Sequence, residues 1–354
     1  MSTSAQSEIA VSPTSTAALQ LAALLQGTGL SQEKDSGWIR VTGEDRIRWL
    51  NGMVTNSIQQ LKAGEGNYNF LLSVQGRIQG DATIFARVDD LIMKTSSAQI
   101  PVLMALLDRF IIMDDVELAD ISGTWSDILV AGPQAASLLQ RVGLAIADLE
   151  PLTLHKFMWN DAEVSIYLAH SPLVSRYELS ADASTSAKLT NALQAAGAVA
   201  CEEQSVEWLR ILEGTPQFGR DIRDRELAQE TGQTRALHFA KGCYLGQEIV
   251  ERIRSRGNVH RTFSGFRLEG ELPVAGALLE ADGKQVGELT SVAAIPLPGE
   301  TATRYFGLGY VRREALDRGS AIVYPGGVAL PVSLPFSLPA ASSAQPASEI
   351  SERV

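Results

Sequence analysis

The chain reads as a multidomain α+β protein that ends in a small all-β unit. Three observations predict this. Helix-like and strand-like periodicities alternate from about residue 36 to residue 256. From residue 262 onward the pattern changes to short alternating runs separated by turn signals. No apolar run reaches the about 20 residues that a membrane-spanning helix needs, and the 354-residue chain suits two or three domains.

The elements follow in order. Residues 1–34 read as a flexible leader with one short helix at 16–25. Residues 38–41 alternate like a strand, and 44–51 give a helix with Ile47, Trp49 and Leu50 available to the core. Residues 68–72 and 78–88 are strands joined by a Gln75-Gly76 turn, a hairpin. Residues 101–110 place Leu103, Leu106, Leu107 and Phe110 at helical spacing. A second unit begins near Asp120, with strands at 125–131, 164–168 and 176–179. Its helices are one opened by Gly132-Pro133 and an alanine-rich one at 184–196 closed by Gly197. Residues 207–213 fit helix or strand equally. Residues 240–246 form a turn, and 247–254 a short helix stopped before Gly257. Strands then fall at 262–268, 278–280, 285–290, 306–311, 321–323 and 328–332, with Asp282-Gly283 as a hairpin turn. They predict a small barrel or sandwich. After Pro335 the Ser/Ala/Pro-rich tail reads as disordered.

Composition narrows the function classes. Hydrophobic residues make up 45% and charged residues 20%, ordinary for a globular protein. The N-terminus lacks both a basic-then-apolar secretory signal and the arginines of a transit peptide, so a cytoplasmic protein with no membrane contact is expected. Two cysteines, Cys201 and Cys243, do not make a secreted disulfide scaffold. The net charge of −11 argues against a nucleic-acid binder acting through its whole surface. Yet residues 235–267 carry seven Lys/Arg against Glu248 and Glu251, net +5, leaving −16 for the rest. Either this is a basic patch for one anionic partner or a helix face of solvated arginines.

The densest stretch is Phe239-Ala240-Lys241-Gly242-Cys243-Tyr244-Leu245-Gly246-Gln247-Glu248. Its glycines permit an unusual turn, and Cys243 falls just before a helix, whose free N–H groups and dipole favour a thiolate. The plainer alternative is a small residue filling a tight turn. No metal is expected: there is no Cys-x-x-Cys pair, and His155, His170, His238 and His260 form no spaced ligand set. Phosphate-binding and dinucleotide glycine loops and the hydrolase elbow are absent too.

Residues 241–248 resemble the signature of the YgfZ-type folate-binding proteins, relatives of the glycine-cleavage T protein that include iron–sulfur assembly factors. Other stretches agree in order: Trp49-Leu50-Asn51-Gly52 through Thr55-Asn56, Leu61-Lys62-Ala63-Gly64, Gly76-Arg77-Ile78-Gln79-Gly80-Asp81, Arg210-Ile211-Leu212-Glu213-Gly214 through Phe218-Gly219, Gly287-Glu288-Leu289-Thr290-Ser291 and Gly307-Leu308-Gly309-Tyr310-Val311-Arg312. The likeness covers about residues 36–336. It implies a T-protein-like folate-binding fold around a central pocket, with a C-terminal β-barrel. The implied units are a folate-binding domain at 35–118 plus 205–257, a second α+β domain at 119–204, the barrel at 258–337 and a tail at 338–354. It also implies that tetrahydrofolate or a derivative is the cofactor, that Trp38 and Trp208 stack on it, and that Glu213 accepts its pterin N–H groups. Asp81 falls where the T protein has its catalytic aspartate. Arg252, Arg254 and Arg256 would meet glutamyl carboxylates or a macromolecule.

T proteins lack the cysteine signature, so the resemblance favours an accessory factor. Such a factor uses Cys243 beside folate to support iron–sulfur cluster assembly or maintenance and tRNA modification, with iron–sulfur enzymes such as tRNA methylthiolation enzymes as partners. Direct nucleic-acid contact is not expected. Two alternatives remain open: an aminomethyltransferase using Asp81, and a non-catalytic folate sensor or RNA-contacting module.

Overall fold

The computed structural model describes residues 15–146, 149–257 and 259–338. Helix α1 (Thr16–Gln26) starts at Ser15, whose hydroxyl accepts the Ala18 N–H at 3.3 Å. Its Leu21 and Leu24 are fully buried. β1 (Gly29–Glu33) follows and is built into a sheet on both sides. This corrects the expected flexible leader over 1–34: from Ser15 on the segment is part of the fold, because β1 gives its backbone groups to two neighbours. Residues 1–14 lie outside the described ones.

Five antiparallel strands form the first sheet: β2 (Gly37–Thr42), β3 (Gly66–Leu72), β4 (Ile78–Ala86), β5 (Leu91–Thr95) and β6 (Glu117–Asp120), in spatial order β3-β4-β5-β2-β6. Helices α2 (Arg46–Met53) and α3 (Ile100–Asp108) cover one face, where Leu50 and Leu103 meet Ile39, Val41, Ile84 and Met93. The second sheet takes β1 with β7 (Ser126–Ala131), β8 (His155–Trp159), β9 (Ala162–Ala169), β10 (Arg176–Ala181) and β11 (Val199–Ala200), in order β11-β1-β7-β10-β9-β8. Helices α4 (Ala135–Arg141) and α5 (Ala183–Ala195) pack on it through Leu138, Leu139, Leu189 and Leu193.

The remaining faces of the two sheets meet. Phe85 and Tyr167 touch there, ring centroids 4.8 Å apart, but the centre of the junction is ionic. Lys94 of β5 faces Glu178 of β10, Glu33 of β1 at 3.2 Å and Asp127 of β7 at 3.9 Å, and Arg176 joins Glu33 at 2.8 Å and Glu178 at 3.2 Å. Burial alone would push the Lys94 ammonium down; the Glu178 carboxylate and its neighbours outweigh it and hold the ammonium well above its usual value. Burial would likewise raise Glu178, yet Lys94 and Arg176 hold it at about 2. A buried charge cluster of this kind survives because each member has partners.

Residues 207–213, ambiguous in sequence, belong to helix α6 (Glu203–Glu213), closed by Gly214 in the left-handed conformation (φ 68°). Helix α7 (Gln247–Arg256) ends at Gly257 in the same way. The C-terminal strands β12 (Arg261–Gly270), β13 (Leu278–Ala281), β14 (Lys284–Pro296), β15 (Thr303–Arg312), β16 (Val323–Tyr324) and β17 (Gly327–Val332) close into a barrel, and a short helix α8 (Arg313–Arg318) follows β15. β12 pairs with both β15 and β17, so no edge is left open there. Beyond it, Phe336 donates its N–H to the Leu212 carbonyl at 2.9 Å and packs on Phe306, so the tail is held at least to that point. Residues 339–354 of the expected disordered tail lie outside the described ones.

Candidate functional site

Two carboxylates define the site, Asp81 half-buried and Glu213 buried. Asp81 lies on β4, where Tyr68 of the neighbouring β3 donates its hydroxyl to Oδ2 at 2.6 Å. Gln99, just ahead of α3, donates Nε2 to Oδ1 at 2.8 Å and accepts the Asp81 N–H at 3.0 Å. Glycine at position 80 permits this, since a Cβ there would lie 2.5 Å from Leu103 Cδ2 and 2.9 Å from Gln99 Oε1. Burial pushes the Asp81 carboxyl up against the opposing pull of Tyr68, Gln99 and Arg235. The Arg235 guanidinium sits 4.1 Å from the Tyr68 ring centroid and forms no salt bridge among the described residues. Burial pushes its pKa down.

Glu213 is the last residue of α6 and is 4% exposed. Ser171 donates its hydroxyl to Glu213 Oε1. Burial pushes this carboxyl up too, with Ser171 and Arg176 opposing. His170, next to Ser171, is pushed down by burial and by the charge of Arg235. Arg235 thus faces the Asp81–Tyr68 pair and lies near His170, whose sequence neighbour Ser171 holds Glu213. Glu213 and Asp81 were expected from sequence. Tyr68, Gln99, His170, Ser171 and Arg235 were not, and the polar Asn67-Tyr68-Asn69 at the head of a strand ending in Phe70-Leu71-Leu72 was the one available sign.

The tryptophans require correction. Trp38 is 1% exposed; its indole N–H donates to Asp127 Oδ2 at 2.8 Å and its ring meets Trp125 edge-on at 5.0 Å. Trp208 is 3% exposed in the core shared by α1, α6 and the barrel. The two lie in separate core clusters. A ring lining a space large enough for a pterin would keep one accessible face, and neither does.

The cysteine segment docks on the tip of the β3–β4 hairpin. Gly246, at φ 82°, precedes α7, and a Cβ there would lie 2.6 Å from the Ser73 carbonyl oxygen. Tyr244 is buried against Tyr68, Phe70 and Leu72. Lys241 donates to three carbonyls, of Asn51 and Val54 at 2.7 Å and Asn56 at 2.6 Å. Burial pushes its ammonium down to about 7. Asn56 connects the two regions: its amide donates to the carbonyls of Tyr68 at 3.2 Å and Arg235 at 2.9 Å. Cys243 is exposed and free. Gly242 and Glu248 are exposed beside it, and Gln247 is half-buried. Cys201 is also free but buried, its Sγ 3.3 Å from the Val199 carbonyl.

The basic run does not form one patch. Arg235 and Lys241 point inward as described, Arg261 pairs with Glu230 at 3.0 Å and Arg267 with Glu269 at 3.1 Å. Arg252 and Arg254 are exposed; Arg254 lies over Phe239 and 3.5 Å from Glu251. The Arg256 side chain lies outside the described ones.

A model of the GCVT N-terminal domain matches residues 16–241, and a model of the CAF17 C-terminal beta-barrel domain matches residues 264–340. A chloroplastic Arabidopsis thaliana protein named as a transferase is 25% identical over 289 residues, covering 81% of this chain and 66% of that protein. The chain therefore spans just under two thirds of that relative's length. The aminomethyltransferase of Geobacillus kaustophilus is 27% identical, over 83% of this chain and 82% of the enzyme. Among solved structures, the glycine cleavage system aminomethyltransferase T of Bartonella henselae superposes with a TM-score of 0.79 at 19% identity, covering 91% of this chain and 89% of that one. The fold is shared.

Proposed function

The chain belongs to the GCVT N-terminal domain family and carries a CAF17-type C-terminal barrel, and from that premise we propose a folate-binding accessory protein that supports iron–sulfur cluster assembly or maintenance and tRNA modification in the cytoplasm. The observations that support the folate reading are the half-buried Asp81 held by Tyr68 and Gln99, the Arg235 beside it that has no salt-bridge partner among the described residues, and the buried Glu213 held by Ser171. Their chemistry fits a reduced folate. Glu213 offers two adjacent acceptors to an aminopyrimidine edge, with Ser171 releasing one of them. Arg235 suits a ligand carboxylate, which would offset its burial. Asp81, with its proton affinity raised, can hold or take a proton at either Oδ opposite a ring nitrogen. Bound tetrahydrofolate would supply one-carbon chemistry at its ring nitrogens.

Cys243 supports the accessory role. It is an exposed thiol on a segment fixed by the Lys241 cage and the Gly246 turn, and we assign it to handling sulfur, one-carbon or cluster species for client iron–sulfur enzymes such as tRNA methylthiolation enzymes. Complementation of a deletion strain tests this. Cys243→Ala should fail to restore tRNA methylthiolation while Glu213→Gln weakens tetrahydrofolate binding at least about tenfold in calorimetry. Full rescue by Cys243→Ala removes the thiol's role, and unchanged binding by Glu213→Gln removes the folate reading of the Glu213 site.

The hydrogen-bonded Asp81 favours one second reading, aminomethyl transfer. Transfer from an aminomethyl-lipoyl carrier that persists in Cys243→Ser and vanishes in Asp81→Asn would establish it over the first.

A further inference from the structure

The five-stranded sheet ends in an unpaired edge. Among the described residues β6 pairs only with β2, in the register Val41–Leu118 and Thr42–Glu117. Ile121 donates to the Trp38 carbonyl at 2.9 Å, so the hydrogen-bonded positions on this side are Ala119 and Glu117. The backbone groups of Leu118 and Asp120 therefore face outward, where no strand pairs with them among the described residues. Beside this edge, between β6 and α3, runs a groove of about 590 Å³ lined by Met104, Ala105, Asp108, Ile111, Val116 and Leu118, among others. The loop leading into β6 leaves Ile112 81% and Met113 94% exposed, and Val102 on α3 is 56% exposed. Isolated apolar residues on a surface are ordinary; two adjacent ones at the mouth of an apolar groove beside an open edge are not.

Charge narrows what fits. Residues 108–120 hold Asp108, Asp114, Asp115, Glu117 and Asp120 against Arg109 alone. Asp114 is engaged by Arg48 at 2.5 Å, and Asp115 accepts the Glu44 N–H at 3.0 Å. Asp108 and Glu117 are exposed, line the groove and have no ionic partner among the described residues. An acidic second copy of this chain is poorly matched to this rim.

We propose that the β6 edge is a docking site for an extended segment of a partner protein in which apolar side chains alternate with lysine or arginine. The segment adds as a strand along β6. Its main chain pairs with the outward groups of Leu118 and Asp120, its apolar side chains enter the groove against Met104 and Ile111, and its cations, placed on the other face by alternation, meet Glu117, while Asp108 adds negative charge at the rim of the groove.

The test uses the full chain and a short fluorescein-labelled peptide alternating lysine with isoleucine and valine. A version with glutamate for lysine and one with proline at alternate positions serve as controls. The lysine peptide should bind, both controls should not, and the Asp108→Lys/Glu117→Lys double variant should weaken binding at least tenfold. Both positions are exposed and unpaired, so circular dichroism should show the variant folded. Amide exchange followed by NMR should show Leu118 and Asp120 protected by the peptide. No binding, binding unchanged by the double variant, or protection elsewhere overturns the proposal. So does sedimentation showing that the wild-type chain dimerises through β6.

Discussion

Replacing Lys241 by methionine keeps the aliphatic stem and removes the ammonium. Three bonds are lost at once, to the carbonyls of Asn51, Val54 and Asn56. Hydrogen bonds to a charged group contribute about 1.5–3 kcal/mol each. These three share one ammonium and one desolvation cost, so their sum is not the answer, and we expect about 2–4 kcal/mol. The loss is local. The Leu245 N–H bonded to Gly52 and the His238 N–H bonded to Thr55, each at 3.0–3.1 Å, both cross the same seam. Their exchange should quicken roughly 30- to 1000-fold, since about 1.4 kcal/mol is a factor of ten. Amide exchange is best measured at pH 6, because burial pushes the Lys241 ammonium down to about 7 and the three-donor form must be present. Unchanged exchange at both amides would refute the view that this cage fastens the cysteine segment to the hairpin.

Three further outcomes follow from the same geometry. Glu178→Gln should cost about 3 kcal/mol in denaturant titration, by leaving Lys94 and Arg176 with one fewer carboxylate. Glu178 sits at about 2 in the fold against an ordinary 4.5, so its stabilisation is present above pH 4.5 and fades as pH falls toward 2; the variant should lack that part of the acid transition. Gly246→Ala meets both a left-handed backbone and the Ser73 carbonyl, and should lose about 1–3 kcal/mol by the same titration. Asp81→Asn should raise the thermal midpoint at neutral pH while abolishing any transfer activity. Its folded pKa is raised, so the unfolded chain releases the proton first and wild type loses stability as pH climbs above 3.8; an unchanged midpoint at pH 4 and pH 7 alike would contradict the burial argument.

Elements with strong local periodicity were legible in the sequence. The β3–β4 hairpin, α3 and most barrel strands carry their pattern within about ten residues, and the barrel's closure settled the choice between barrel and sandwich. β1 was not legible, since Gly-Leu-Ser-Gln-Glu has little apolar alternation and owes its state to partners on either side. The ionic junction was hidden for a related reason: Lys94 and Glu178 stand 84 positions apart, and nothing local marks either as buried. Trp38 shows the limit of residue type as a guide. An indole suits a heterocycle and a core equally, and what decided was an N–H acceptor, Asp127, 89 positions away. Asp81 and Glu213 were found through family likeness, whereas Arg235 looked like one more member of a basic run until its place over Tyr68 was known.

The position of β1 also sets an order of events during synthesis. Its partners β7 and β11 are translated much later, Ser126 being the first residue of the nearer one. At usual elongation rates the ribosome needs roughly 5–20 s to travel from Gly29 to Ser126. Throughout that interval the nascent chain carries a strand with both flanks unclaimed, and a message truncated before Ser126 would release it in that state.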